Sequence, residues 1–196
     1  MTPDQILLLL LFLFPLAYSP GPGNMFFAAL GARYGVAASL PATIGYHTAT
    51  LIVSFAIGAG VAIALDPTSR SFTLIQILGA IYLLWLAFKL YRSHNPQSLA
   101  DAHPATALDG AILLLLNPKG YLIMALLFTQ FPGETLSKTA LVAALFTANN
   151  LLAFLVWTFA GQTLSRLFNS PAAAHRINAG FAICLAGVAL WLLLTK

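Results

Sequence analysis

Long uncharged stretches alternate with short polar ones along this chain, and the stretches have the length of membrane crossings. Residues 36–65, 71–88, 139–165 and 177–195 contain no Asp, Glu, Lys or Arg. A crossing of a hydrocarbon core about 30 Å thick takes about 20 apolar residues, so each of the four reads as one span. Two further segments are long enough to cross but are interrupted. Residues 4–33 carry "SPGPGN" at 19–24, between an apolar run and "MFFAAL", and residues 105–131 carry "NPKG" at 117–120. Proline removes a backbone donor and clashes with the preceding helical turn, and glycine is a poor helix former. Both segments are therefore expected to break partway. The one substantial polar loop, "SHNPQSLADAHP" at 93–104, lies near the middle of the chain.

This pattern predicts an all-α integral membrane protein with six transmembrane helices. It forms one transmembrane domain, residues 1–196. The loop 93–104 separates a half at 1–92 from a half at 105–196, each with a broken span first and two unbroken spans after it. Three spans is an odd number, so the halves enter the membrane in opposite directions, as an inverted repeat. Pro22 and Pro118, one in each interruption, lie about half the chain apart. A five-span reading, with the first segment re-entrant, stays open.

Composition narrows the class. The chain of 196 residues is 60% hydrophobic and 7% charged, against roughly 25% charged in a soluble domain. The formal net charge of +4 rests on few residues, which argues against nucleic acid as a partner and for a report of orientation. With six spans, Arg70, Lys138 and Lys196 share a side with the N-terminus, and Arg33, Lys89, Arg92, Arg166 and Arg176 share the other. The excess of positive charge marks the cytoplasmic side, so both termini are expected outside. The first segment lacks a basic start, and Pro20 follows "AYS", so it reads as a retained helix rather than a cleaved signal. The single cysteine, Cys184, makes no internal disulfide or paired-thiol site.

Broken backbone facing lipid costs several kcal/mol per unpaired group and survives only within protein or along a wet cavity. Interruptions at matching places in two halves point to a binding site at the bilayer midplane. The amide end of a half-helix suits a carboxylate, and the carbonyl end suits a cation. A small zwitterion presents both charges. Proline kinks without a site are the competing reading.

The candidate binding residues are accordingly Pro20, Gly21, Pro22, Gly23 and Asn24 at the first break, Asn117, Pro118 and Lys119 at the second, and Asn150 in the fifth span. The Asn24 and Asn117 amides can bond substrate or cap freed backbone. Lys119 is the one basic residue deep within a predicted span, where charge is usually functional or snorkels. Its expected partners are a substrate carboxylate or Asp109, and Asp109 also suits a helix start. His47, with an ordinary pKa near 6.5, is the proton-carrying candidate, against a packing role. Adjacent Asn149 and Asn150 point about 100° apart, so one of them faces the site. Tyr46, Tyr82 and Gln130 are weaker candidates. Gly31, Gly35, Gly45, Gly58, Gly60, Gly79, Gly180 and Gly187 are assigned to close helix packing, Gly31 and Gly35 as a GxxxG. No metal or cofactor is expected, because the ligands for one are too few.

At these residues the chain resembles the lysine exporter superfamily. "SPGPGNMFFAALGARYG" is similar to its first-helix signature, "LLNPKGYLIMALLFTQF" to its N-P-K motif, and "LGAIYLLWLAFKLYRS" to its third-span pattern. The nearer branch is that of the homoserine/threonine exporters, which also holds cysteine and leucine exporters. The resemblance implies a carrier in the bacterial inner membrane that expels small, mostly neutral amino acids, with protons as the coupling ion. The chain departs from the family in Gly23, an added glycine before the asparagine. It departs again at Tyr46 and His47, where some relatives carry an acid, so no carboxylate stands there for proton coupling. Apart from substrate, protons and the lipid bilayer, the sequence leaves a homo-oligomer open. Two rivals are a metal-ion exporter and a membrane enzyme using Ser19 with His47.

Overall fold

The computed structural model describes residues 1–60, 70–92, 104–167 and 171–194. Among them seven α-helices follow one another: α1 (Pro3–Tyr18), α2 (Pro22–Gly58), α3 (Arg70–Arg92), α4 (Ala107–Leu115), α5 (Pro118–Gln130), α6 (Leu136–Leu167) and α7 (Pro171–Leu194). The polar stretch 93–103, residues 61–69 with the end of the second apolar run, and Lys196 lie outside the described residues.

Both interruptions are built by one rule. A residue before proline is pushed out of the helical region, and proline itself suits the first position of a helix, where its missing N–H would be unpaired anyway. Ser19, before Pro20, is extended, as is Gly21 before Pro22, and α2 starts at Pro22. Asn117, before Pro118, is also extended, and α5 starts at Pro118. The helix axis bends by 65° between α4 and α5. Thr2 caps α1 in a reciprocal box with Gln5, and Thr106 caps α4 in the same way with Asp109. Each broken segment thus opens on a threonine cap and restarts on a proline.

Helix α2 is two helical arms, residues 22–34 and 36–58, joined at Gly35. That residue has φ 81° and ψ 171°, a region open in practice only to glycine. The Val36 amide freed by the turn donates to Gln162 Oε1 at 2.7 Å. Gly35 is therefore the bend between the two arms of α2 rather than half of a packing pair, which corrects the GxxxG expectation.

Helix α2 packs most extensively on α6 and then on α4, while α3 lies along α7. Glycines make the crossings close. Gly31 lies on the Thr158 backbone of α6, and Gly161 of α6 lies on the Ala28 backbone of α2. Further along, Gly45 meets the Ala107 backbone and Gly110 meets the Ala42 backbone. At each of these four positions a Cβ would strike a carbonyl oxygen. Gly58 packs on Phe128 and Gly79 on the Leu116 backbone, whereas Gly60, Gly180 and Gly187 have nothing within 4 Å. Packing thus explains only part of the glycine set.

Large apolar side chains such as Leu7, Leu11, Ile44, Ile52, Phe159 and Ile183 are exposed, as a lipid-facing surface requires. Among the described residues α2 and α6 are long and apolar enough to cross a membrane, and the bent pair α4–α5 makes a third crossing if taken as one. The protein is a multi-pass, all-helical membrane protein.

Candidate functional site

The two breaks meet. Lys119, in the first turn of α5, donates from Nζ to the Ser19 carbonyl oxygen at 2.8 Å and to Ser19 Oγ at 2.9 Å. Beside this contact lies a small cavity of about 10 Å³, space for about one water molecule. Its polar walls are Asn24, Tyr46, Asn117, Lys119 and Asn150, and aromatic rings of Phe146 and Phe154 from α6 close it with Leu16, Leu114 and Ile123. An amino acid is far larger than one water, so binding one requires the walls to move.

The carbonyl end of α1 is fully satisfied. The Leu16 carbonyl accepts from Ser19 Oγ at 3.1 Å, Ala17 from Asn24 Nδ2 at 2.9 Å, Tyr18 from Trp157 Nε1 at 3.1 Å, and Ser19 from Lys119. Asn24 thus caps freed backbone, as one of its two expected roles. The amide ends differ: neither α2 at Gly21 nor α5 at Asn117 has a side-chain cap. Asn117 does not cap its own helix start: its Nδ2 donates to the Tyr46 hydroxyl at 2.8 Å, while Oδ1 is the atom that would accept from a helix-start amide. Its Oδ1 is buried without a partner. Two uncapped half-helix starts and an unpaired amide oxygen around one cavity leave several polar groups free to bind a ligand.

Of the residues expected at the site, Asn24, Asn117, Lys119 and Asn150 line the cavity. Gly21 lies under the Lys119 side chain: a Cβ there would sit 2.7 Å from Lys119 Cδ. Gly23 lies under Phe154, whose ring would stand 2.6 Å from such an atom. Pro22 and Pro118 are buried and set the two helix starts. Pro20 is exposed and does not line the cavity. His47 is buried one shell out, its Nδ1 2.8 Å from the Thr43 carbonyl and its ring 5.3 Å from that of Phe154. Its Nε2 is buried without a hydrogen-bond partner. Asn150 rather than Asn149 faces the cavity. The alternative of a Lys119–Asp109 pair is corrected: Asp109 Oδ2 accepts from the Thr106 amide and hydroxyl, both at 2.7 Å.

Trp157, Phe146 and Phe154 carry no sequence signal that separates them from other aromatic residues in a span. Tyr46, a weak candidate by sequence, lines the cavity, whereas its neighbour His47 does not. Ser19 belongs to the quoted break, but its role was legible only as a nucleophile. Its hydroxyl instead donates to Leu16 and accepts from Lys119.

A family model described as LysE type translocator matches residues 14–196. The chain belongs to that family. It is accordingly a transporter and not an enzyme. A leucine efflux protein of Klebsiella pneumoniae is 36% identical over 118 residues, which span 57% of this chain and 56% of the relative. A leucine efflux protein of an Enterobacter species is 30% identical over 147 residues, 71% of this chain and 70% of the relative. A cysteine/O-acetylserine efflux protein of Klebsiella pneumoniae is 28% identical over 176 residues, 86% and 87% of the two chains. No solved structure matches this LysE-type chain significantly.

Proposed function

We propose that this LysE-type translocator exports small neutral amino acids, of the leucine, cysteine, threonine or homoserine kind, across the bacterial inner membrane. The observation that carries the reading is the meeting of the two helix breaks beside one small cavity that both polar and apolar side chains line, through Lys119 and Ser19. Uncapped amides at α2 and α5 suit the carboxylate, and the α1 carbonyl end suits the ammonium group. Phe146, Phe154, Leu16 and Ile123 offer an apolar wall for a short side chain. Relatives named for leucine and for cysteine/O-acetylserine efflux support the substrate class.

The proposed architecture is six spans in two inverted halves, 1–92 and 105–196. The threonine cap and proline restart shared by the two broken segments support it, as does the pairing of α3 with α7, the last helix of each half. In this reading the halves rock about the breaks to alternate access. Both termini are periplasmic, the proton gradient drives export, and His47 is the proton-carrying candidate.

Proteoliposomes loaded with labelled leucine, cysteine, threonine and homoserine, with and without an imposed proton gradient, test this. Release of at least one, faster with the gradient, is expected. Release of none, or equal rates with and without the gradient, would remove the cargo class or the coupling respectively. Unchanged transport in both Asn24→Ala and Lys119→Ala would remove the site.

A further inference from the structure

We propose that Lys119 occupies, in the empty carrier, the seat of the substrate's ammonium group, so that binding exchanges one ammonium for another on Ser19. The inference rests on the reading of the cavity as the substrate site and adds how that site selects zwitterions. The break leaves the carbonyls of Leu16, Ala17, Tyr18 and Ser19 without helical partners, and each already holds a side-chain donor. An incoming ammonium must displace one of them. Of the four donors only Asn24 and Lys119 line the cavity. Asn24 is short and held at the start of α2. Lys119 carries the same –NH₃⁺ head as an α-amino group, on a flexible stem with three rotatable donors. It takes two acceptors of one residue together, Ser19 O and Ser19 Oγ.

The stem has a prepared path. It runs over Gly21, where a Cβ would lie 2.7 Å from Lys119 Cδ and 3.0 Å from Nζ. Any larger residue at 21 would push the lysine off its seat, although the extended backbone there, φ −165°, admits any side chain. The charge has no carboxylate partner: among the described residues the one ion pair joins Lys138 to Glu134. A half-buried charge held only by neutral oxygens is under-compensated. A zwitterion resolves this. Its ammonium takes the Ser19 oxygens, and the displaced Lys119 turns to its carboxylate, a stronger, charge-assisted partner. A primary amine without a carboxylate would instead place two cations together with no anion. Lys119 thus makes the carboxylate obligatory.

The test is competition for labelled leucine on the purified full-length protein, using 3-methylbutylamine, which is leucine without its carboxylate, and 4-methylpentanoate, which is leucine without its amine. The amine does not compete with leucine on the wild-type protein in this proposal, whereas the carboxylate, which offers Lys119 an anion without contesting Ser19, competes weakly. In Lys119→Met the vacated Ser19 oxygens accept the amine, so 3-methylbutylamine becomes a competitor while leucine binding weakens on the order of tenfold. Gly21→Ala crowds the stem but keeps the charge, so the amine stays excluded there, and a gain confined to Lys119→Met separates loss of the charge from a folding defect. An amine that competes equally on wild type and both variants, or leucine binding unchanged in Lys119→Met, overturns the exchange while leaving the site in place. Wild-type protein that binds neither leucine nor any other neutral amino acid overturns the proposed function and the exchange together.

Discussion

Asn117 donates from Nδ2 to the Tyr46 hydroxyl at 2.8 Å, between two buried side chains 71 positions apart. The bond ties the start of α5 to the second arm of α2, residues 36–58. Tyr46 also stands edge-on to Phe27 and tilted against Phe154. Tyr46→Phe keeps the ring contacts and removes Asn117's partner. A buried amide left wholly unpaired costs about 1–3 kcal/mol, so thermal unfolding in detergent is expected at a lower temperature and leucine efflux is expected to fall. In a double-mutant cycle with Asn117→Ala the two changes are expected to be non-additive; strict additivity would show that the bond contributes nothing.

Asn24→Ala removes the donor to the Ala17 carbonyl, which is buried at the end of α1. The orphaned acceptor is expected to cost about 1–3 kcal/mol, and transport should fall with it because the same amide lines the cavity. Wild-type unfolding temperature together with wild-type efflux would contradict both roles.

The glycines sort into two classes with opposite outcomes. Gly45→Ala and Gly161→Ala drive a methyl group into the carbonyls of Ala107 and Ala28, and forcing the helices apart should cost about 1–3 kcal/mol. Gly180→Ala meets nothing within 4 Å and removes a glycine from a helix interior, a change of about 0.5–1 kcal/mol in the stabilising direction. Folded yield from size-exclusion profiles distinguishes them. A well-folded Gly45→Ala would mean that the α2–α4 crossing is looser than described.

Gly35→Ala forces a side chain into a backbone region that costs of order 1–3 kcal/mol. Gln162→Ala leaves the Val36 amide without its 2.7 Å partner and is expected to cost about 1 kcal/mol. Both should lower the unfolding temperature, the glycine change more. The reverse order would place the weight of this turn on Gln162.

Membrane insertion and the two breaks were legible in the sequence, because each follows from local physics. Uncharged runs of crossing length need lipid, and a proline beside glycine or asparagine readily starts a helix, whereas Pro15 and Pro41 stay inside α1 and α2. Pro22 and Pro118 therefore announce the starts of α2 and α5 without reference to any neighbouring helix. The resemblance carried on the two proline motifs pointed to the family for the same local reason. What the breaks do to each other was decided only by the tertiary structure. Lys119 finds Ser19 rather than Asp109, Asn150 rather than Asn149 faces the cavity, and Gly35 bends the chain while Gly31 packs. Each of those outcomes depends on which helices lie side by side, and a one-dimensional pattern of apolar and polar residues does not encode the rotation of one helix against another.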